Sequence, residues 1–536
     1  MIETIISTCN EATLHRIFEK SAQKYPDRPS LCIDGQDHSY KVLRDLQVKM
    51  LGMIRSLDLR GETIGLLGAK SISAYASLLA IMASGNAYLP LNMKFPLARI
   101  EKILLSANVA TVIADASIAS PLAEILVQHV EPISIILTGC EKVPDVLSDT
   151  GPHKIILFSD FLRSDLEIDV SHDSVSSAEM AYLLFTSGST GEPKGVPVAH
   201  SNACATIRAL DDVLGISKDD RVTQFSELTF DVSIGEMFFC WSAGACLVIP
   251  GPLDLLSPAA FIKRNAVTVW SSVPTLVSFV KQRQLLQEEM LPTLRLTLLC
   301  GEKLLTSLVD FWKTVAPNSI VMNLYGPSEV SIFSTVYICP QESGCDDVVP
   351  IGMPLSGLKI KIANQDERGG DNAKGELFLS GEQVVAGYWK NESATRRFFV
   401  ADDKDNAIWY RTGDLVSFDE TTGLTFHGRV DQQIKVRGHR VEIADIETNL
   451  RKAMRVDTVA VVPLKCEDGI ILGLVAFSSP HTLDQDEIDR RLSDCLPPYM
   501  IPESIHMLDS FPLNDNGKID YKFLTELAKK SVSEAS

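Results

Sequence analysis

Between Ser30 and Ala114, short apolar runs of strand length alternate with amphipathic stretches of helical length, and this alternation narrows the possible fold more than any other feature. Ser30 to Asp34 reads as a strand. Tyr40 to Leu57 reads as a helix, because Leu43, Leu46, Met50, Ile54 and Leu57 recur at three- and four-residue spacing. Thr63 to Leu67, Tyr88 to Leu91 and Ala110 to Ala114 continue as strands, with Ser71 to Ala83 and Ala98 to Ser106 as helices between them. Strands joined through helices pair in parallel with the helices laid over the sheet faces, so an α/β architecture with parallel or mixed sheets is expected. A chain of 536 residues exceeds what one core can hold, which calls for two or more domains. The segment from about Ile133 to Ser177 is more polar and reads as strands joined by surface loops.

Composition excludes several classes. With 45% hydrophobic and 22% charged residues the chain has ordinary globular balance, and its net charge of −19 argues against nucleic-acid binding, which rewards basic surfaces. The N-terminal MIETIISTCNEATLHR carries early acids and lacks a basic leader and a long apolar core, so a cytoplasmic location is expected. The most apolar long stretch, Ala74 to Met93, is interrupted by Ser84, Gly85, Asn86 and Pro90 and suits a buried helix and strand rather than a membrane span. Eleven cysteines are scattered without a CxxC pair or a Cys/His cluster, so neither a disulfide framework nor a zinc site is indicated.

Chemistry enters at Tyr182 to Gly195, YLLFTSGSTGEPKG. An apolar strand, Tyr182 to Phe185, runs into a loop with four hydroxyls (Thr186, Ser187, Ser189, Thr190), two glycines (Gly188, Gly191) and Lys194. Hydroxyls, close backbone N–H groups and one mobile cation suit an anion such as phosphate. By composition alone the stretch is equally a solvated turn, and it is not a Walker A loop, since Lys194 follows Pro193 and no Ser or Thr follows the lysine. Further along, Asp231 stands among Phe230, Val232 and Ile234, where a carboxylate is costly unless paired; a helix N-cap, a turn aspartate and a partner for a ligand ammonium all remain open. VWSSVPT (Val269 to Thr275) and LTLLCGEKL (Leu296 to Leu304) read as buried strands running into loops, the place where α/β sheets bind ligands. NLYGPSEVSIFST (Asn323 to Thr335) adds a flat aromatic face in Tyr325, a tight turn at Gly326 and Pro327, and a hard oxygen donor in Glu329.

Together with GNAYLPLN (Gly85 to Asn92), GELFLSGEQVVAGYW (Gly375 to Trp389), YRTGD (Tyr410 to Asp414), GRVDQQIKVRGHRVE (Gly428 to Glu442), LPPYMIP (Leu496 to Pro502) and NDNGKID (Asn514 to Asp520), these stretches resemble, in order and over nearly the whole chain, the signatures of the adenylate-forming superfamily. Within it the chain looks most like standalone amino-acid adenylation enzymes, resembling nonribosomal peptide synthetase adenylation domains and D-alanine:carrier-protein ligases. The resemblance implies a large N-terminal domain (1–428), a hinge (429–431) at Asp431 and a small mobile α+β domain (432–536). It implies ATP and Mg²⁺ as cofactors. Thr186, Ser187, Gly188, Ser189, Thr190 and Lys194 would grip the phosphates, Tyr325 would stack on the adenine, Asn323 and Gly326 would also belong to the ATP site, Asp414 would hold the ribose hydroxyls, and Arg429 a phosphate or the ribose. Glu329 would hold the metal, and Lys518 would be the catalytic lysine bridging carboxylate and α-phosphate.

The family's pocket-lining positions fall on Asp231, Val232, Gly235, Ser271, Leu298, Cys300, Gly301, Leu324, Ile332 and Phe333. Asp231 facing an ammonium suits an α-amino acid, and a lining without a second charge suits a neutral side chain. Cys300 would narrow the pocket and Gly235 would enlarge it, so alanine is expected first, followed by glycine, serine or proline. Transfer to the phosphopantetheine thiol of a separate carrier protein is implied, since the sequence ends eighteen residues after Lys518. An acyl-CoA synthetase forming a thioester through the same adenylate is the alternative.

Overall fold

The computed structural model describes residues 13–163, 175–186, 193–342, 347–363, 374–402, 407–431, 433–465, 471–481, 483–513 and 519–535. Most of these residues build two large sheets with helices between them. In the nine-stranded sheet, six strands run parallel in the order Ile320–Tyr325, Leu296–Cys300, Val269–Ser272, Arg221–Thr223, Cys246–Ile249 and Pro29–Ile33. Antiparallel strands close both edges: Thr335–Ile338 and Met353–Pro354 on one side, Gln36–Ser39 on the other. The seven-stranded sheet is parallel from Lys154–Leu157 through Ser134–Thr138, Thr111–Asp115, Thr63–Leu67 and Ala87–Leu91 to Met180–Thr186, with Lys194–Ala199 antiparallel at the end.

Period-two alternation explains why these strands are apolar throughout. Leu296, Leu298 and Cys300 face the inner layer shared with the helices, while Leu299 faces the outer core with Trp270 and Trp312. In the other sheet Ile136 points inward and Ile135 and Leu137 outward. The inner layer holds the helices Tyr40–Ser56, Ile72–Ala83, His200–Leu214 and Asp231–Ser242. Its buried aromatics have partners for their polar atoms: Trp241 Nε1 donates to the Ser30 carbonyl at 3.1 Å and the Tyr40 hydroxyl to the Ala245 carbonyl at 2.7 Å.

The expected elements between Ser30 and Ala114 form within a residue or two of their predicted bounds. Ala74 to Met93 is the buried helix Ile72–Ala83 and the strand Ala87–Leu91. The 133–177 segment holds the two strands Ser134–Thr138 and Lys154–Leu157, but also a short helix, Phe158–Arg163, where only strands and loops were expected. A five-stranded antiparallel sheet was not foreseen; it carries Leu358–Ala363, Gly375–Gly381, Phe399–Asp402, Ala407–Asp419 and Gly423–Arg429. Beyond residue 430, the hairpin Gln433–Val436/His439–Glu442 is followed by a three-stranded sheet, Val459–Lys465, Ile471–Ser478 and Ser504–Met507. The helices Ile443–Met454 and Gln485–Ser493 share one core of this region, and Leu524 and Ala528 of the helix Tyr521–Ala535 belong to the other. Among the described residues no helix is long and apolar enough to cross a membrane.

Candidate active site

A cavity opens where the parallel strands of the nine-stranded sheet end, at Gly301 and at Tyr325 to Ser328. Phe185 and Thr186, at the end of their own strand, reach it from the other large sheet, and Asp414 and Arg429 reach it from the antiparallel sheet. Phe230 to Val232, Ile332 and Phe333 form another part of the wall, and the 433–442 hairpin, Tyr499, Phe95 and Arg99 a further one. Strand ends at a sheet's carboxyl edge leave backbone groups and loop side chains free for a ligand.

At one end of the cavity Asp414, 6% exposed, accepts from the Tyr325 hydroxyl on Oδ2 and from Arg429 Nη1 on Oδ1. Arg429 also donates from Nε and Nη2 to the two oxygens of Asp431, at 2.7 and 2.9 Å. Tyr325, Asp414, Arg429 and Asp431 thus form one chain of contacts, and Asp414 keeps acceptor capacity beyond its two protein partners. Gly326 lies so close to the following turn that a Cβ there would sit 2.3 Å from the Ile332 carbonyl oxygen. Asn323, predicted to contact the nucleotide, instead donates from Nδ2 to the Pro350 carbonyl at 2.8 Å and is absent from the cavity wall.

Glu329 is 1% exposed and fully engaged. The Tyr388 hydroxyl donates to Oε1 at 2.7 Å, and Arg440 Nη1 lies 2.9 Å from Oε1 and 3.0 Å from Oε2. Burial alone would raise its pKa, but the Arg440 charge and the Tyr388 hydroxyl hold it below the usual glutamate value, so it is an anion. Lys194 lies over the Phe398 and Tyr388 rings at 5.1 and 5.8 Å, and burial lowers its pKa. Thr186 lines the cavity and donates from Oγ1 to the Lys194 carbonyl at 3.5 Å. Ser187, Gly188, Ser189, Thr190 and Lys518 lie outside the described residues.

Asp231 is neither a cap nor a turn residue. It is the first residue of the helix Asp231–Ser242, with Phe230 as N-cap, so its carboxylate sits at the helix's positive end. It is 7% exposed, it lines the cavity, and its Oδ2 has no hydrogen-bond partner among the described residues. Burial raises its pKa against the opposing effects of Ser328 and the Val232 N–H. A buried acceptor left without a donor in a residue of the cavity wall is costly until a donor arrives.

The predicted pocket divides into two groups. Asp231, Val232, Gly301, Ile332 and Phe333 line the cavity, whereas Gly235, Ser271, Leu298, Cys300 and Leu324 are not in its wall. Gly235 does not enlarge the space as expected: a Cβ placed on it would meet Ile332 Cγ2 at 3.0 Å and Phe333 Cε2 at 3.3 Å, so those side chains already occupy the room. Ile332 holds this position with φ +82°, and Ser331 before it has φ +52°, conformations costly for a β-branched and a serine residue. Behind the floor, Ser271 donates from Oγ to Glu236 Oε1 at 2.7 Å, and burial pushes fully buried Glu236 up to about 8.

The 433–442 hairpin went unnoticed as part of the site. Its strands alternate: Ile434, Val436 and Val441 pack into the core shared with the helices Ile443–Met454 and Gln485–Ser493, while the cross-strand pairs Gln433–Glu442 and Lys435–Arg440 occupy the other face. Arg437 and Gly438 at the tip have φ of +51° and +82°, as a two-residue type I′ turn requires. The tip is seated on the large sheet, with Gly438 N–H donating to Glu302 Oε1 at 2.6 Å, and a Cβ on Gly438 would lie 2.8 Å from Val273 Cγ1. His439 stacks on Tyr499 at 3.6 Å between ring centroids and meets Phe230 edge-on; burial lowers its pKa to about 4. Lys435 reaches the cavity, where burial pushes its pKa down against the opposing charge of Asp414. The signal was present as polar–apolar alternation around Arg437–Gly438, but a charged hairpin read alone is a solvated surface.

A cavity at the carboxyl ends of a parallel sheet, bordered by a tyrosine–aspartate–arginine chain, with the buried anionic Glu329 behind rather than in its wall, is the arrangement of an adenylate-forming ligase. The AMP-binding enzyme family model matches residues 18–389, and the chain belongs to that family. Its relatives are adenylation enzymes of nonribosomal peptide synthesis. Tyrocidine synthase 1 of Brevibacillus parabrevis is 28% identical over 96% of this chain, which spans 45% of that protein's length. Zwittermicin A synthase ZmaJ of Bacillus cereus is 28% identical, over 98% of this chain and 97% of its own. Among solved structures, the Vibrio cholerae adenylation domain AlmE in complex with glycyl-adenosine-5'-phosphate superposes with a TM-score of 0.87 at 29% identity, covering 96% of this chain and 98% of that one. The chain is thus an AMP-forming ligase that uses ATP.

Proposed function

We propose that this enzyme activates a small neutral amino acid, alanine or glycine ahead of serine and proline, as its aminoacyl adenylate and passes it to the phosphopantetheine thiol of a separate carrier protein. The observation that carries the substrate class is the buried, unpartnered Oδ2 of Asp231, a residue of the cavity wall that Ile332 and Phe333 also line. An α-ammonium supplies the missing donor, and those two side chains leave little room beyond a methyl group. AlmE, solved with a glycyl adenylate, is similar to this chain.

In the first half-reaction a carboxylate oxygen of the amino acid bonds to the α-phosphorus of ATP, the bond to the bridging oxygen breaks, and pyrophosphate leaves. Tyr325 offers its ring to adenine and Asp414 its remaining acceptor capacity to the ribose, with Arg429 holding Asp414 in place. Thr186 and Lys194 stand at the phosphate end, and Lys518 is assigned to the attacking carboxylate. The fit of Glu329 to Mg²⁺ rests on its character here, a buried hard-oxygen donor held in the charged form. Mg²⁺, when bound, supplies charge neutralisation on the phosphates. In the second half-reaction a thiol sulfur attacks the acyl carbon and AMP departs. The proposed division at Asp431 (1–428, then 432–536 beyond the hinge) is supported by the separate cores on either side of it.

ATP–pyrophosphate exchange across a panel of amino acids tests the reading. Alanine or glycine should lead. Strongest exchange with glutamate, lysine or tryptophan would remove the pocket argument, and efficient acyl transfer to free CoA without a carrier would favour an acyl-CoA synthetase.

A further inference from the structure

We infer that Thr206, which lies outside the pocket, sets the pocket's depth: its hydroxyl holds the strained turn that aims Ile332 and Phe333 over Gly235. This rests on the proposed reading that those two side chains limit the size of the substrate's side chain. Ile332 and Phe333 line the cavity, whereas Thr206 and Ser331 do not. Ile332 has φ +82°, and the Phe333 N–H donates back to the Ser331 carbonyl at 3.2 Å. A hydrogen bond spanning two residues around a positive φ marks the rarer, strained γ-turn, and a β-branched residue at its centre needs support from outside the turn. That support converges on Ser331. Thr206 Oγ1 donates to the same carbonyl at 2.7 Å, so its two lone pairs are taken by Thr206 and by the Phe333 N–H.

The clamp belongs to a closed network of three segments. Thr206 is fully buried in the helix His200–Leu214, and Asn202 stands four residues before it on the same helix face. Asn202 Nδ2 donates to the Glu382 and Val384 carbonyls at 2.7 and 3.2 Å. Between those two residues, the Gln383 carbonyl accepts from Ser331 Oγ at 2.7 Å. The helix thus holds the Ser331 turn directly through Thr206 and indirectly through residues 382–384. With the backbone so fixed, Ile332 Cγ2 and Phe333 Cε2 come to 3.0 and 3.3 Å from where a Cβ on Gly235 would be. A left-handed conformation of this kind persists only while its surroundings enforce it. Without the Thr206 bond the turn relaxes toward negative φ, and rotation of the Ser331–Ile332 backbone carries both side chains with it. The pocket is therefore shaped from a helix residue that never touches substrate, and Thr206 is a positioning residue.

The test compares alanine and leucine in ATP–pyrophosphate exchange with the full chain. Thr206→Val keeps the shape of the side chain and removes its hydroxyl, while the Ser331 carbonyl retains the Phe333 N–H. It should raise the ratio of kcat/KM for leucine over alanine about tenfold, the size of effect one buried hydrogen bond supplies. The rise should come mainly from a lower KM for leucine, with alanine turnover within a few fold of wild type. Thr206→Ser keeps the hydroxyl and should return the ratio to wild type; a ratio still raised there overturns the hydrogen bond as the cause. Ser331→Ala, which removes the bond to the Gln383 carbonyl, should shift the ratio in the same direction. It decides the question if thermal melting shows Thr206→Val unfolded, and an unchanged ratio there overturns the inference. A threonine that merely stabilises the fold lowers both substrates together. A folded Thr206→Val enzyme with an unchanged ratio, while Phe333→Ala changes it, overturns the role of Thr206 and leaves the pocket assignment standing. An unchanged ratio in Phe333→Ala as well removes the pocket assignment and the inference with it.

Discussion

Phe333→Ala should turn a pocket that stops short into one that accepts branched side chains. The ring is 2% exposed and its Cε2 lies 3.3 Å from where a Cβ on Gly235 would be, so removing it opens space over a helix position that has no side chain of its own. Leucine carries three more side-chain carbons than alanine. At about 0.8 kcal/mol per buried CH₂, burying them gains about 2.4 kcal/mol, which corresponds to about 50-fold in relative kcat/KM. The same change costs about 3–5 kcal/mol of stability through the cavity it leaves, a large part of what a domain possesses. Exchange is therefore measured at low temperature after thermal melting shows the variant folded, with Phe333→Leu as a milder companion. The readout is the ratio of kcat/KM for leucine over alanine in ATP–pyrophosphate exchange. A folded Phe333→Ala enzyme whose ratio stays within threefold of wild type would mean that the pocket does not end at this ring.

Three other perturbations follow from the buried charges. Asp231→Asn should lower kcat/KM for α-amino acids about 10- to 100-fold, the worth of one charge-assisted hydrogen bond; and because burial raises the wild-type Asp231 pKa, the amino-acid KM should climb as pH falls through a value above the ordinary aspartate range, a dependence the variant lacks. Glu236, pushed up to about 8 from 4.5, contributes stability that is fully present below about pH 4.5 and lost as pH rises through 8; Glu236→Gln should flatten the fall in chemical-denaturation stability across that window, and an unchanged slope would remove the assignment. Lys435→Met should slow acyl transfer to the carrier, measured in single turnover from preformed adenylate, while leaving pyrophosphate exchange within a few fold, since Lys435 enters the cavity only as part of the seated hairpin.

What the sequence made legible was local. Strand and helix bounds between Ser30 and Ala114 follow from periodicity because both faces of those strands are buried, and apolar runs of that length have few alternatives. The strand at Tyr182, the turn at Tyr325 to Pro327 and Asp414 were legible because each places its functional atoms within a few residues of a strand end. Gly235 shows the limit: a glycine in a helix reads as space, yet the space belongs to Ile332 and Phe333, almost a hundred residues away, held there by left-handed backbone at Ser331 and Ile332. Asn323 shows it again, its amide taken by a carbonyl whose approach depends on tertiary packing.

The hardest feature to read was that the hairpin Gln433–Val436/His439–Glu442 meets the site. Among the described residues beyond 430, the wall carries Gln433, Lys435, Gly438, His439, Arg440 and Tyr499. A hairpin with an apolar face for its own core and a polar face of alternating Gln, Lys, Arg and Glu is stable with that polar face in water or against a complementary site. Local sequence does not distinguish the two, because the deciding partners, Glu329 and Glu302, lie more than 100 residues upstream and are themselves costly when buried alone. The hairpin's cations and the buried acids of the sheet region lower each other's cost only when brought together, so the seating of this hairpin is written in the charge balance between distant segments.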